Sequence, residues 1–141
     1  MEISDVRRGI RETIDRARRH AAERRKRNDD AALAFERFLT TVAIPLFKQI
    51  ANVLKIEGYP FTVFTPSGGV RLMSDRSADD FVEITLDTSD NAPRAIARIS
   101  RSRGRRAVDA ERTIAGGDPA VISDEELLAF MTEVLEPFVE K

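Results

Sequence analysis

The chain has no cysteine and no tryptophan, and only one tyrosine and one histidine. Without cysteine there can be no disulfide, no thiolate metal ligand and no thiol nucleophile. The one histidine, His20, stands among Arg18, Arg19 and Arg24 with no carboxylate placed to orient it. Neither a catalytic triad nor a histidine metal site can be built from that. Long hydrophobic runs are also missing: the longest span a few residues, such as Val42-Ala43-Ile44, and Pro45 follows. By run length this falls far short of a membrane span, so no membrane association is expected. The start of the chain lacks the apolar stretch and small-residue cleavage site of a secretory signal. Glu2, Asp5, Glu12 and Asp15 among the arginines are unlike a transit peptide, which leaves a cytoplasmic location as the expectation. Internal repeats and low-complexity tracts are absent.

What the chain does have is charge laid out in blocks. The 141 residues carry a formal net charge of only -1, yet one third are charged. Residues 1–28 hold ten Lys/Arg against five Asp/Glu, and residues 75–92 hold six acids against Arg76. Residues 93–112 reverse this with seven arginines against two acids, and 113–141 hold seven acids against Lys141. Such a layout gives strongly signed surfaces behind a neutral total and points to charge-complementary contacts. Arginine outnumbers lysine 19 to 4. That bias is what a GC-rich bacterial genome produces, so alone it says little about nucleic acid. Length and a hydrophobic content of 42% fit one soluble domain with a real core.

The periodicities predict an α+β fold. Ile3, Val6, Ile10, Ile14, Ala17 and Ala21 recur every three or four residues, a narrow apolar stripe on a charged helix over about 3–27. The stripe is too thin to support a lone helix and is expected to pair, with a second copy of the chain in a homodimer. Arg24-Arg25-Lys26-Arg27 then reads as the cationic last turn of that helix. A break is expected at Asn28-Asp29-Asp30, followed by a second, more apolar helix over about 30–57. Its apolar residues cover more than one face, and Pro45 in its middle should kink it. Gly58 is placed as its C-cap and Pro60 stops it.

From 60 to 114 the period changes to two. Strands are expected at Phe61–Phe64, Val70–Met73, Phe81–Asp87, Ala95–Ser100 and Ala107–Ile114, forming an antiparallel meander. Ser123-Asp124-Glu125-Glu126 is a capping box opening a last helix over about 124–139. Its inward face is expected to carry Leu127, Leu128, Met131, Val134, Leu135 and Phe138. One domain over 1–141 follows, with 1–28 as a projecting arginine-rich helix.

Candidate chemistry is sparse. The acids Asp75, Asp79, Asp80, Glu83, Asp87 and Asp90 could in principle hold a hard cation, but no EF-hand pattern is present. They read instead as a solvated loop and the polar face of an edge strand. Thr65-Pro66-Ser67-Gly68-Gly69 resembles a phosphate loop in composition but joins two strands, so it lacks the helix N-terminus that binds phosphate. The stronger feature is a hairpin with Arg101, Arg103, Arg105 and Arg106 crowded on one turn and Arg94 and Arg98 leading in. Like charges this close repel unless an anion or an acidic surface lies opposite. In order of elements alone the chain resembles small DNA-bending proteins that use basic β-arms, with no shared motif and no residues to carry over.

The leading expectation is therefore a small non-enzymatic protein acting through protein–protein contacts, with no cofactor, no metal and no catalytic residue. Its contact candidates are Arg98, Arg101, Arg103, Arg105 and Arg106. Nucleic-acid binding by the Arg94–Arg106 hairpin is the first alternative. A cation-dependent enzyme built on the Asp75–Asp87 block is the second.

Overall fold

Ile3–Phe38 forms one uninterrupted α-helix, α1, in the computed structural model of the chain, which describes residues 1–90 and 92–140. The break expected at Asn28-Asp29-Asp30 does not occur. Between Gly9 and Pro45 the sequence has neither glycine nor proline, so no backbone donor is missing and nothing there ends the helix. Arg24–Arg27 therefore sit in mid-helix, and the helix-dipole explanation for them lapses.

The irregularity lies further on. Leu39–Ala43 is a π-helical turn, after which α2 runs Ile44–Ile56. The N–H of Ile44 reaches back five residues to the Leu39 carbonyl. Pro45 has no N–H to continue the four-residue ladder, and a widened turn just before it absorbs the defect without ending the helix. The hydroxyls of Thr40 and Thr41 donate to the carbonyls of Glu36 and Arg37, at 2.9 and 2.7 Å. The inserted residue also explains why the apolar positions spread over more than one face of a regular helix. Phe38 and Ala43 are five apart, and both are buried.

α2 ends at Gly58, whose φ of +93° suits glycine. The Tyr59 N–H closes the last turn onto the Leu54 carbonyl at 2.7 Å.

Among the described residues five strands follow: β1 (Phe61–Phe64), β2 (Gly69–Ser74), β3 (Phe81–Asp87), β4 (Arg94–Arg103) and β5 (Arg106–Thr113). They form one antiparallel sheet in the order β1-β2-β3-β4-β5. α3, Asp124–Val139, closes the chain behind a complete Ser123–Glu126 capping box. The fold is thus the α+β meander with a C-terminal helix that the periodicities predict.

Alternation places Val63, Leu72, Val82 and Ile99 in one row across the sheet, and Val70, Ile84 and Ala97 in the next. These rows pack against Phe35, Phe38 and Phe47 of the long helix and Leu127, Phe130 and Met131 of α3. The helices thus cover one face of the sheet, and burying it is the main stabilising term.

The other face is polar. Arg71, Glu83, Arg98 and Glu111 line up across β2 to β5, alternating in sign. Arg71 Nε lies 2.7 Å from Glu83 Oε2. The guanidinium groups of Arg71 and Arg98 lie 4.1 and 5.5 Å from the centre of the Phe81 ring, and they shield it from water.

Three further expectations need correction. β3 is the central strand, not an edge, so Glu83 is held between two arginines and does not guard a free edge. Leu128 is not core: it is 44% exposed, and Phe130 takes the inward position in its place. The unbroken-run argument about membranes also undercounts the long helix. Ile3–Ile56 contains an 18-residue window of mean hydropathy 1.2, long and apolar enough by composition to cross a membrane, with 17% of it buried. Isolated polar residues hide that window from a count of consecutive apolar ones.

Candidate functional site

β3 begins at Phe81, which pairs with Ser100. Beyond that point β4 is paired only by β5, through Arg101 with Val108, Ser102 with Ala107 and Arg103 with Arg106. The two strands leave the sheet as a ribbon about 10 Å long, at roughly 3.3 Å per residue. A two-residue turn, Gly104-Arg105, closes it. Gly104 has a φ of +67° and holds the first turn position, which glycine fills at least cost in a tight hairpin. The expected six-residue loop is thus mostly strand.

Alternation sorts the side chains. Arg101, Arg103, Arg106 and Val108 project on the side of the sheet that carries the helices, while Ser102 and Ala107 take the other side. One face is therefore cationic and the opposite face small. Arg103 and Arg106 stand directly opposite each other, an arrangement of like charges that costs stability when nothing lies between them. Among the described residues, Arg101, Arg103, Arg105 and Arg106 make no ion pair. Arg101 is partly covered beside Pro137, Phe138 and Glu140, and Arg103, Arg105 and Arg106 are exposed.

The other arginines of the block are placed elsewhere. Arg98 lies on the polar face, over Phe81 and 3.5 Å from Asp109. Arg94 reaches Asp87 and Asp90 at 3.6 and 3.7 Å. Arg112 meets Glu133 of α3 at 3.1 Å and lies over Phe130.

The acids do not converge. Asp75 accepts from Thr62, Asp80 from Ser102, and Glu83 pairs with Arg71. Asp87 accepts from both the hydroxyl and the N–H of Ser89, and those bonds, followed by the charge of Arg94, hold its carboxyl below the ordinary value. Among the described residues no three His, Asp or Glu side chains stand close enough together to hold a metal ion. Thr65–Gly68 is the β1–β2 loop.

Residues 1–20, which belong to α1 from Ile3 onward, are all exposed. The stripe residues Ile3, Val6, Ile10 and Ile14 are 78, 48, 57 and 43% exposed. Ala17 is also open, and Ala21 is the first partly covered position. His20 borders an open cleft of about 920 Å³ between α1 and the loops at Pro93 and Asp118, with Arg24 and Arg27 on the same wall.

A second apolar surface went unread in the sequence. Between α2 and α3 runs a groove of about 300 Å³, lined by Ile50, Val53 and Leu54 on one side and Leu128, Met131 and Leu135 on the other. Its signal in the sequence is the surplus of apolar positions on both helices, more than one buried face needs. Comparison with protein-family models, with curated proteins and with solved structures finds no match to this chain.

Proposed function

We propose that this protein works by binding and that the ribbon of β4 and β5 is its nucleic-acid contact. The observation that carries the reading is the ribbon itself: four arginines within six residues, extended past the sheet, none ion-paired among the described residues. A two-stranded ribbon fits a duplex major groove about 12 Å wide. Phosphates on either side would supply the counter-charge that Arg103 and Arg106 lack, and the small Ser102 and Ala107 face leaves room for close approach. Four phosphates neutralised would give a slope of log K against log[salt] of about -3 to -4.

Fluorescence anisotropy with a labelled duplex tests this, at salt from about 50 to 200 mM. Binding with that slope is expected, and it should be lost in Arg103→Glu with Arg105→Glu. No binding to duplex or single strand at the lowest salt overturns the reading.

A second reading, a protein–protein adaptor, has its own support in the exposed stripe of α1 and the open α2–α3 groove. On that reading the ribbon would meet an acidic protein surface. Binding to duplex would then be absent, and binding to the protein partner would fail both with the ribbon substitutions and with changes to the apolar faces.

A further inference from the structure

The stripe and the groove are complementary, and the stripe and one wall of the groove lie on the same long helix. Ile10 and Ile50 are 40 residues apart on an unbroken Ile3–Ile56 helix, about 60 Å along its axis at 1.5 Å per residue. A chain cannot place its own stripe in its own groove without breaking that helix.

The charges around the two surfaces match. Arg7 stands four residues after Ile3 and three before Ile10. Arg18 stands four after Ile14 and three before Ala21, so both flank the stripe on one side. They are 11 residues apart, three helical turns, which keeps them in line. On α3, Glu125 lies three residues before Leu128 and Glu136 four after Thr132, a spacing that puts both beside the residues lining the groove's outer side. These two are also 11 residues apart. Both pairs are exposed, and each spans about 16 Å along its helix. α3 carries five acids and no base, so its rim is uniformly negative. The α2 rim offers the neutral Gln49, which suits the uncharged Thr13 on the other flank of the stripe.

We infer that the α2–α3 groove receives the α1 stripe of a second copy of this chain, with Arg7 and Arg18 of one copy facing Glu125 and Glu136 of the other. Made reciprocally, the exchange closes as a two-fold dimer in which the two long helices run antiparallel. The assembly uses the apolar side chains that α1 and α3 leave open, and it sets the basic block 1–28 against the acidic block 113–141. It is independent of what the ribbon binds.

Sedimentation equilibrium on the full chain, from about 1 to 100 µM, tests it. The native chain should be dimeric at the upper end. R7E/R18E and E125R/E136R should each weaken the dimer by roughly tenfold or more, and the four changes together should restore it. A monomer throughout the range overturns the proposal. So does a dimer insensitive to both charge reversals, one lost only in R7E/R18E, which would mean stripe pairing with stripe, or one not restored in the combined variant.

The absence of cysteine permits a second measurement that needs no charge reversal. When I10C and V53C chains are mixed and oxidised, a disulfide between the two variants is expected. Cross-linking of I10C only to itself overturns the proposal.

Discussion

Asp80 accepts two hydrogen bonds from Ser102, one from its backbone N–H at 2.6 Å and one from its hydroxyl at 2.9 Å. The carboxylate just ahead of β3 thus fastens β4 at the first residues past the sheet, where the ribbon would otherwise depend on β5 alone. Asp80→Ala should cost about 1 kcal/mol, the scale of charge-assisted bonds at a partly exposed site. Its distinctive effect should be local. Hydrogen exchange at the Ser102 amide should accelerate well beyond the global loss, while amides of Val82 and Ile84 should follow the global loss alone.

Glu83 sits between Arg71 and Arg98 on the polar face, and its removal leaves two guanidinium groups sharing Phe81. Glu83→Gln should destabilise by about 1 kcal/mol in dilute buffer. The loss should shrink toward zero near 1 M salt, where the repulsion between the arginines is screened. Paired urea titrations at the two salt concentrations measure this.

Asp87 contributes to stability with a definite pH sign. Its carboxyl is held below the ordinary value of 3.8, first by the Ser89 hydroxyl, then by the Ser89 N–H, then by Arg94. A group with a lowered folded value stabilises fully above its ordinary value and loses that contribution as pH falls through the folded one. The melting temperature of Asp87→Asn should lie below that of the native chain at neutral pH. The gap should close as pH drops below 3.8. A gap that stays constant through that range would show that the ionised carboxylate contributes nothing.

Pro45 and the extra residue of the π turn should behave as a matched pair. Deleting Thr41 leaves Phe38 and Ala43 at regular helical spacing, but it brings the proline ring against a carbonyl four residues back. That clash should cost about 3 kcal/mol. Pro45→Ala alone should stay within about 1 kcal/mol, since the turn already accommodates residue 45. The double change should recover most of the loss, a coupling that denaturant unfolding reads directly.

These elements show where the sequence was legible. Phe81–Asp87 alternates cleanly, and its predicted bounds match the strand, because one face is buried and any slip in register would expose it. Ser123 and Glu126 mark the start of α3 through two local bonds that need no tertiary information. Asn28-Asp29-Asp30 misled because capping residues are also tolerated inside a long helix. Only tertiary context decides between the two roles. The π turn was hidden for a different reason. A one-residue slip in helical phase looks the same as a helix that is apolar on several sides. A five-strand meander already puts its third strand in the middle, so the edge reading of Glu83 followed from the acidic block around it and not from the strand pattern. The arginine cluster was legible as a cluster. Its division into four ribbon residues and two paired ones, Arg94 and Arg98, depends on which strands lie alongside β4.

Residues 3–19 of α1 are all exposed, so the helix stands out from the body like a mast. A globule of this length would have a radius of gyration near 14 Å. The R7E/R18E chain, kept monomeric, should exceed that in X-ray scattering, and it should diffuse more slowly than a compact monomer of its mass. A stiff mast also fixes distance. A group on the first turn of α1 is therefore kept a set span from one on its last turn, about 50 Å away at 1.5 Å per residue.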